Sequence, residues 1–209
     1  MEITTSKPIK TTNLKTKIMK KLLLLGAFVA SYCISAQSPA PGSVYIQNYT
    51  PYYVEYTLNK SNLGSPATGC TPSLEARDAT NNLLKLGFTN NPSVSIDANY
   101  DKNVNNTFAF NAAVPTTPQV GRWIVNANYA APYTAPSGVL ATFSNLTTWT
   151  NIKFGVQDQS GVNAGGYYSM GNPCGSTTVI SDISGSVIPS SMTGATLFTL
   201  GGATWIIIY

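Results

Sequence analysis

The chain carries short stretches in which apolar and polar residues alternate. Within Ser43–Tyr49, Val44 and Ile46 share one side of the pattern, and within Tyr52–Leu58 the apolar residues again fall at every second position. A period of two is typical of a β-strand with one buried face, because successive side chains of a strand point to opposite faces. The same signals predict further strands at residues 92–101, 107–111, 122–128, 139–144, 147–156, 177–183 and 203–209.

Residues 73–87 allow two interpretations. Ser73 could cap a helix containing Leu74–Arg77 and Leu83–Leu86, or these stretches could be two strands around a turn at Asn81 and Asn82. Because the surrounding sequence is rich in predicted strands, we favour a β-hairpin.

Clusters of Gly, Pro, Asn and Ser separate the predicted strands, and no long segment shows the 3.6-residue period of an amphipathic helix. Many short strands with regular turn signals favour two packed sheets, and the lack of a fixed repeat disfavours a solenoid or propeller. The sequence therefore predicts an all-β fold, a single antiparallel β-sandwich or jelly-roll-like domain over residues 37–209.

The last predicted strand contains the consecutive residues Ile206, Ile207 and Ile208 before Tyr209. An apolar run without alternation is typical of a strand buried on both faces, so we expect it to close the core. The alternative is an edge strand that awaits a partner, which would allow an oligomer through the C-terminal strand.

Residues 1–36 have the three parts of a secretory signal peptide. Lysines up to Lys21 precede the apolar stretch Leu22–Cys33, and Ala36 offers a small residue for cleavage before Gln37. The uncharged run from Leu22 to Ala36 has 15 residues, whereas a membrane-spanning helix needs roughly 20, so we expect cleavage rather than an anchor.

Two further expectations concern this leader. Met19, followed by two lysines, begins a complete leader on its own, so we expect translation to start there. Tyr32 stands where a lipoprotein signal would place a small residue before Cys33, which favours plain cleavage. The leader resembles those of proteins secreted by Gram-negative bacteria, and it predicts a mature protein outside the cytoplasm: secreted, extracellular, on the cell surface or in the periplasm.

Cleavage would change the charge of the protein. The full chain has a formal net charge of +4, but the leader holds six lysines and one glutamate. Residues 37–209 therefore carry six basic and seven acidic side chains, a net charge of −1. A near-neutral chain lacks the basic surface that phosphate backbones select, so no nucleic-acid partner is predicted, and the mature chain has no predicted membrane span.

Cys70 and Cys174 are the two cysteines that remain after cleavage. In an oxidising compartment they predict a disulfide bond, which would stabilise the fold by up to ~4.7 kcal/mol in the chain-entropy model. The alternative is a pair of free or metal-binding thiols. The chain has neither a histidine nor a CxxC spacing to support it.

Candidate catalytic groups are few. Without histidine, catalytic triads of the Ser-His-Asp and Cys-His kinds are excluded. A pair of carboxylates that hydrolyses a glycosidic bond remains conceivable. Its members would come from seven scattered residues: Glu55, Glu75, Asp78, Asp97, Asp101, Asp158 and Asp182.

Residues 97–105 place oxygen-bearing side chains at every second position, as calcium loops do. Lys102 stands where such a loop needs Gly, and Phe108 stands where it needs a bidentate Glu. The pattern is better explained as the solvent face of a strand, so no metal or other cofactor is predicted.

Tyrosines supply the main hint of function. Five of them fall within Tyr45–Tyr56, and Tyr129, Tyr133, Tyr167 and Tyr168 lie in turn-rich stretches. Aromatic rings stack on the C–H faces of sugars, although the same residues are ordinary in strands and protein interfaces. We predict a secreted or cell-surface protein that works by binding or assembly, with a protein or a glycan as its partner. The alternatives are a lectin-like carbohydrate-binding module and, less favoured, a glycan-active hydrolase.

Overall fold

The computed structural model describes residues 42–105, 114–174 and 180–209, which fold into two β-sheets that share one core. The predicted all-β sandwich is confirmed. The elements are β1 Val44–Asn48, β2 Tyr53–Ser61, β3 Ser73–Arg77, β4 Leu84–Leu86, β5 Ile96–Tyr100, β6 Arg122–Val125, α1 Gly138–Leu146, β7 Thr148–Gln157, β8 Asn163–Gly171, β9 Ala195–Leu200 and β10 Ala203–Ile208, with a short 3-10 turn at Pro66–Thr68.

The first sheet has four strands in the order β5-β1-β10-β9. The second sheet has six strands, in the order β6-β3-β2-β7-β8 with β4 also paired to β2. Neighbouring strands are antiparallel except β1 and β10, which run parallel. This one pair departs from the purely antiparallel arrangement that we predict from the sequence.

The core lies between the sheets and follows the predicted alternation. On β2, Val54, Tyr56 and Leu58 are buried and pack in one cluster with Ile46 and Ile206 of the facing sheet. Burying an aliphatic or aromatic side chain of this size contributes about 1.5–3 kcal/mol. Apolar contact between the sheets is therefore the main source of stability.

Two buried tyrosines add a polar link between the sheets. The hydroxyl oxygens of Tyr56 on β2 and Tyr100 on β5 lie 2.5 Å apart, and the Tyr100 hydroxyl donates to the carbonyl oxygen of Pro118 at 2.8 Å. Because each hydroxyl has one hydrogen, Tyr56 donates to Tyr100. Both buried hydroxyls are thus satisfied, which avoids the cost of an unpaired polar group in the core.

Residues 73–87 form two strands, but they do not form the predicted hairpin. β3 and β4 both pair antiparallel with β2, β3 at Asn59–Ser61 and β4 at Val54–Tyr56. They follow each other along one edge of β2 instead of pairing with each other. Between them, the Asp78 carboxylate accepts a hydrogen bond from the N–H of Asn82, which stabilises the turn that leaves and rejoins this edge.

The predicted strand at 139–144 is wrong, because these residues belong to α1. The Ser137 hydroxyl accepts a hydrogen bond from the N–H of Leu140 at 3.1 Å and so caps the helix. Leu140 and Ser144, one turn apart, are the buried residues of the helix.

Within the described ranges, no helix is long and apolar enough to cross a membrane.

The predicted strand at 92–101 is too long. β5 begins at Ile96, and Val94 is 53% exposed. Asn91 accepts hydrogen bonds from the backbone N–H groups of Ser93 and Val94, so residues 91–94 form a turn. The predicted strand at 107–111 lies outside the described residues.

Strands β8 and β9 lie where the sequence predicts turns and loops. β8 contains Gly165 and Gly166, and glycine is uncommon in strands, so the sequence of β8 lacks a clear strand pattern.

Of the predicted strand at 177–183, residues 177–179 are outside the described part. Ile180 and Asp182 make isolated bridges to β8 and β9.

The terminal strand β10 is neither buried on both faces nor an edge. Ile206 and Ile208 are buried, whereas Trp205 and Ile207 are half-buried on the other face. β1 pairs with one edge of β10 and β9 with the other. The strand contributes Ile206 and Ile208 to the core as predicted, but burial on both faces and the edge position are wrong. An oligomer cannot form by pairing along it without displacing a strand.

The predicted disulfide bond between Cys70 and Cys174 is present, with their Cα atoms 5.6 Å apart. Cys70 is buried in the loop after β2, and Cys174 is exposed just after β8. The bond spans 104 residues of sequence and ties two loops together at one end of the six-stranded sheet.

Lys60 on β2 is fully buried. Its Nζ donates to the carbonyl oxygens of Lys102 and of Ser144, the latter at 3.3 Å, and lies 5.2 Å from the centroid of the Trp149 ring. Burial lowers the pKa of Lys60 to about 8, an effect that the nearby charge of Asp101 partly opposes. The ammonium group joins the segment after β5 and the last turn of α1 to the sheet.

We expect Lys60 to make the free energy of unfolding rise between about pH 8 and pH 10.5. The unfolded chain keeps the lysine proton up to pH 10.5, whereas the folded protein releases it near 8, so raising the pH in this window removes the cost of burying the charge. Lys60→Met lacks this contribution. In urea unfolding, the stability of the original protein relative to Lys60→Met should increase by about 2 kcal/mol from pH 7.5 to 9.5. A difference that stays constant with pH would refute the assignment.

Candidate functional site

The outward side chains of the six-stranded sheet line an open depression of about 370 Å³, which we call the outer depression. Strand register places Thr57 of β2 beside Lys153 of β7, and Lys153 beside Ser169 of β8. Glu75 and Arg77 come from β3, and the loop after β6 adds Tyr129. A depression of this volume is within the range of sites that bind small molecules.

Tyr167 provides an exposed aromatic surface in the outer depression. It lies on β8 directly opposite Gly155 of β7, and it is 74% exposed. A Cβ atom added to Gly155 would lie 2.9 Å from the Tyr167 ring, so the ring occupies the space above the glycine. Because glycine has no side chain, the Tyr167 ring rests on β7 at Gly155. The other side of the ring is open to solvent.

Glu75, Arg77 and Tyr129 form a connected polar group on one side of the depression. The Arg77 Nε donates to Glu75 Oε1 at 2.7 Å, and the Tyr129 hydroxyl donates to Glu75 Oε2 at 2.8 Å. The Arg77 guanidinium also lies 5.7 Å from the centroid of the Tyr129 ring. The hydrogen bond to Glu75, together with partial burial, raises the pKa of Tyr129 above its ordinary value. Each carboxylate oxygen is therefore held by a different residue.

The loop that carries Tyr129 is anchored to β3. The Asn126 side chain accepts a hydrogen bond from the N–H of Ser73 at 2.9 Å, and the Asn126 N–H donates to the carbonyl oxygen of Ser73. Asn126 and Ala127 have φ angles of 50° and 57°. Left-handed backbone is unfavourable for alanine, so the surrounding contacts must hold this turn in place.

Lys153 is an exposed cation in the depression. Its cross-strand neighbours, Thr57 and Ser169, are uncharged. Arg77 and Glu75 form the one ion pair among the described residues. Lys153 therefore has no carboxylate partner among these residues.

The structure does not assemble a catalytic pair from the two glutamates. Both lie on this outer face, but Glu55 is opposite Gly155 whereas Glu75 is opposite Asn59, four residues farther along β2. Four strand residues span about 13 Å, more than the roughly 6.5–9.5 Å between the carboxyl groups of inverting glycosidases. Glu75 is also engaged with Arg77.

The five predicted aspartates lie outside the outer depression. Asp158 accepts hydrogen bonds from the hydroxyl of Ser160 and the N–H of Val162, which hold the pKa of its carboxyl below the ordinary value. These contacts give Asp158 a structural role in a turn. Asp78 and Asp182 likewise accept backbone hydrogen bonds in turns, and Asp97 and Asp101 lie on or just after β5 in the other sheet.

The predicted tyrosines lie in different parts of the structure. Tyr129 and Tyr167 both line the outer depression. The ring of Tyr168 packs against Phe154 in the core. Tyr45 stacks on Trp205 on the outer face of the four-stranded sheet, with ring centroids 4.4 Å apart. Sequence reasoning misses three contributors to the site: Arg77, Lys153 and Gly155.

A scan of protein-family models, a search of curated proteins and a search of solved structures each gave no match to this chain.

We expect the Tyr167 ring to shift the NMR resonances of the Gly155 Hα protons upfield, chiefly that of the proton in the position of a Cβ atom, because this proton points at the ring. Tyr167→Ala should move those resonances back toward ordinary glycine positions. The Hα protons of Gly138, which has open space around it, serve as the control and should not move. Unchanged Gly155 resonances would show that the ring does not rest on the glycine in solution.

Proposed function

We propose that the protein is an exported, non-catalytic binding protein that holds a saccharide in the outer depression. The observation that carries this proposal is the Tyr167 ring, which rests over Gly155 with its other side open to solvent. Sugar rings present C–H faces that pack on such a surface, while their hydroxyl groups need nearby donors and acceptors.

The polar group beside the ring suits those hydroxyls. Glu75 has lone pairs beyond those used by Arg77 and Tyr129, and the Arg77 guanidinium has further N–H donors. Because Tyr129 and Arg77 already hold the carboxylate, little side-chain freedom is lost when a ligand binds. Preorganisation of this kind favours affinity.

The sheet edges favour a binding surface over assembly by strand addition. Within the described residues, a non-strand segment bonds to four of the outer strands: Thr117 to β5, Tyr133 to β6, Ile180 to β8 and Ser181 to β9. At β8 the contact reaches only the last residue, Gly171, and β4 pairs with β2 alone. Covered edges are a common way for proteins to avoid edge-to-edge pairing. Strand addition is therefore disfavoured at β5, β6 and β9.

The predicted leader and the disulfide bond support export. A disulfide is stable in oxidising compartments and rare in the reducing cytosol. We propose a location on the cell surface or in the surrounding medium, where polysaccharides are abundant ligands for such a site.

A glycan array tests this proposal with the exported, disulfide-bonded protein. We expect binding to at least one class of saccharide, and Tyr167→Ala should weaken it about tenfold because the stacking surface is lost. Tyr45→Ala is the matched control, since it removes a tyrosine from the outer face of the other sheet and should leave affinity unchanged.

Two results would overturn the proposal. One is a loss of binding with Tyr45→Ala but not with Tyr167→Ala. The other is steady cleavage of a bound glycan that stops with Glu55→Gln or Glu75→Gln, which would establish the hydrolase alternative.

A further inference from the structure

We infer that the saccharide is an acidic one, and that the Lys153 ammonium binds its carboxylate or sulfate group. This inference rests on the proposed function, since it concerns the ligand of the same depression. It comes from the distribution of charge over the two sheets.

Basic residues are concentrated on the outer face of the six-stranded sheet. Residues 37–209 contain six lysines and arginines, and four of them occupy outward positions of this sheet. Two acidic residues, Glu55 and Glu75, share those outward positions. The face is therefore positive although residues 37–209 as a whole carry a net charge of −1. The four basic residues are Arg77, Lys85, Arg122 and Lys153.

Three of the four cations are engaged by other groups. Arg77 pairs with Glu75. Lys85, which lies opposite Glu55 on the neighbouring strand, donates from Nζ to Gln157 Oε1 at 2.8 Å. Arg122 is close enough to Asp78 for its charge to favour the ionised carboxylate. Lys153 is a diagonal neighbour of Glu55, but it forms no ion pair within the described residues.

The arrangement of Lys153 differs from that of a lysine that serves solubility alone. It lies in a depression, between the uncharged residues Thr57 and Ser169, and no ion pair within the described residues involves it. Its strand neighbour Gly155 is the residue beneath the Tyr167 ring. A free cation is thus placed beside the stacking surface.

The separation of these two groups matches a single ligand. Lys153 pairs with Ser169, which lies two residues along β8 from Tyr167, so Lys153 and Tyr167 are diagonal neighbours. Diagonal positions on adjacent strands are about 7–8 Å apart, within the reach of a lysine and an aromatic ring. A sugar ring stacked on Tyr167 can direct an acidic substituent to the ammonium, which forms a charge-assisted hydrogen bond.

Matched pairs of oligosaccharides test this inference by titration calorimetry of the exported protein. The panel holds oligogalacturonate, oligoalginate and a sulfated galactan oligosaccharide, each with its neutral counterpart made by carboxyl reduction or desulfation. We expect at least one acidic member to bind about tenfold more tightly than its neutral counterpart at low salt, and added salt should reduce that preference.

Two charge variants locate the effect. Lys153→Gln should abolish the preference for the acidic member while leaving the weaker affinity for the neutral one. Lys102→Gln removes the same charge from an exposed side chain after β5 and should keep the preference. Equal thermal midpoints of the two variants exclude a folding defect as the cause.

The outcomes separate this inference from the proposed function. If acidic and neutral members bind equally, and Tyr167→Ala weakens both, the saccharide site stands and the acidic preference is wrong. A preference that survives Lys153→Gln would also overturn the role of Lys153. If no saccharide on the array or in the panel binds, the proposed function fails and this inference fails with it.

Discussion

The register of β2 is the constraint on which the rest of the structure depends. β7 pairs with β2 over nearly its whole length on one edge, and β3 and β4 share the other edge. Since side chains alternate along a strand, this register decides which residues enter the core and which face outward. Val54, Tyr56 and Leu58 go inward, and a shift of one residue would send them to solvent.

The same register builds the outer depression. It sets Thr57 beside Lys153 and aligns Glu55 with Gly155, while β8 brings Tyr167 over that glycine. The site therefore uses side chains held by paired strands rather than by free loops. The exceptions are Leu83, just before β4, and Tyr129, whose loop is fixed to Ser73 through Asn126. A site built on strands keeps its geometry before a ligand arrives, which lowers the cost of binding.

Local patterns predict the strands that alternate clearly, and they predict the sandwich and the disulfide bond. They fail where tertiary contacts determine whether a segment forms a strand or a helix. The apolar residues near Leu140 fit either period, and the hydroxyl of Ser137 selects the helix. β8 is not predicted because the adjacent Gly165 and Gly166 weaken the sequence signal for a strand. The strand is present because these residues pair with β7.

The site is harder to predict than the fold, because it joins residues that are distant in the sequence. Tyr129 and Tyr167 are recognisable as candidates, but nothing local shows that they share one depression. Gly155 is informative only once Tyr167 is known to lie opposite it. Lys153 resembles any exposed lysine until the partners of the other three cations are known.

We propose that ligand binds on the outer face of the six-stranded sheet. Backbone amide NMR of the protein, titrated with the tightest-binding saccharide, tests it most directly. We expect the largest chemical-shift changes at Lys153, Gly155, Tyr167 and Ser169. Changes confined to Tyr45, Phe198 and Trp205, on the outer face of the four-stranded sheet, would contradict it.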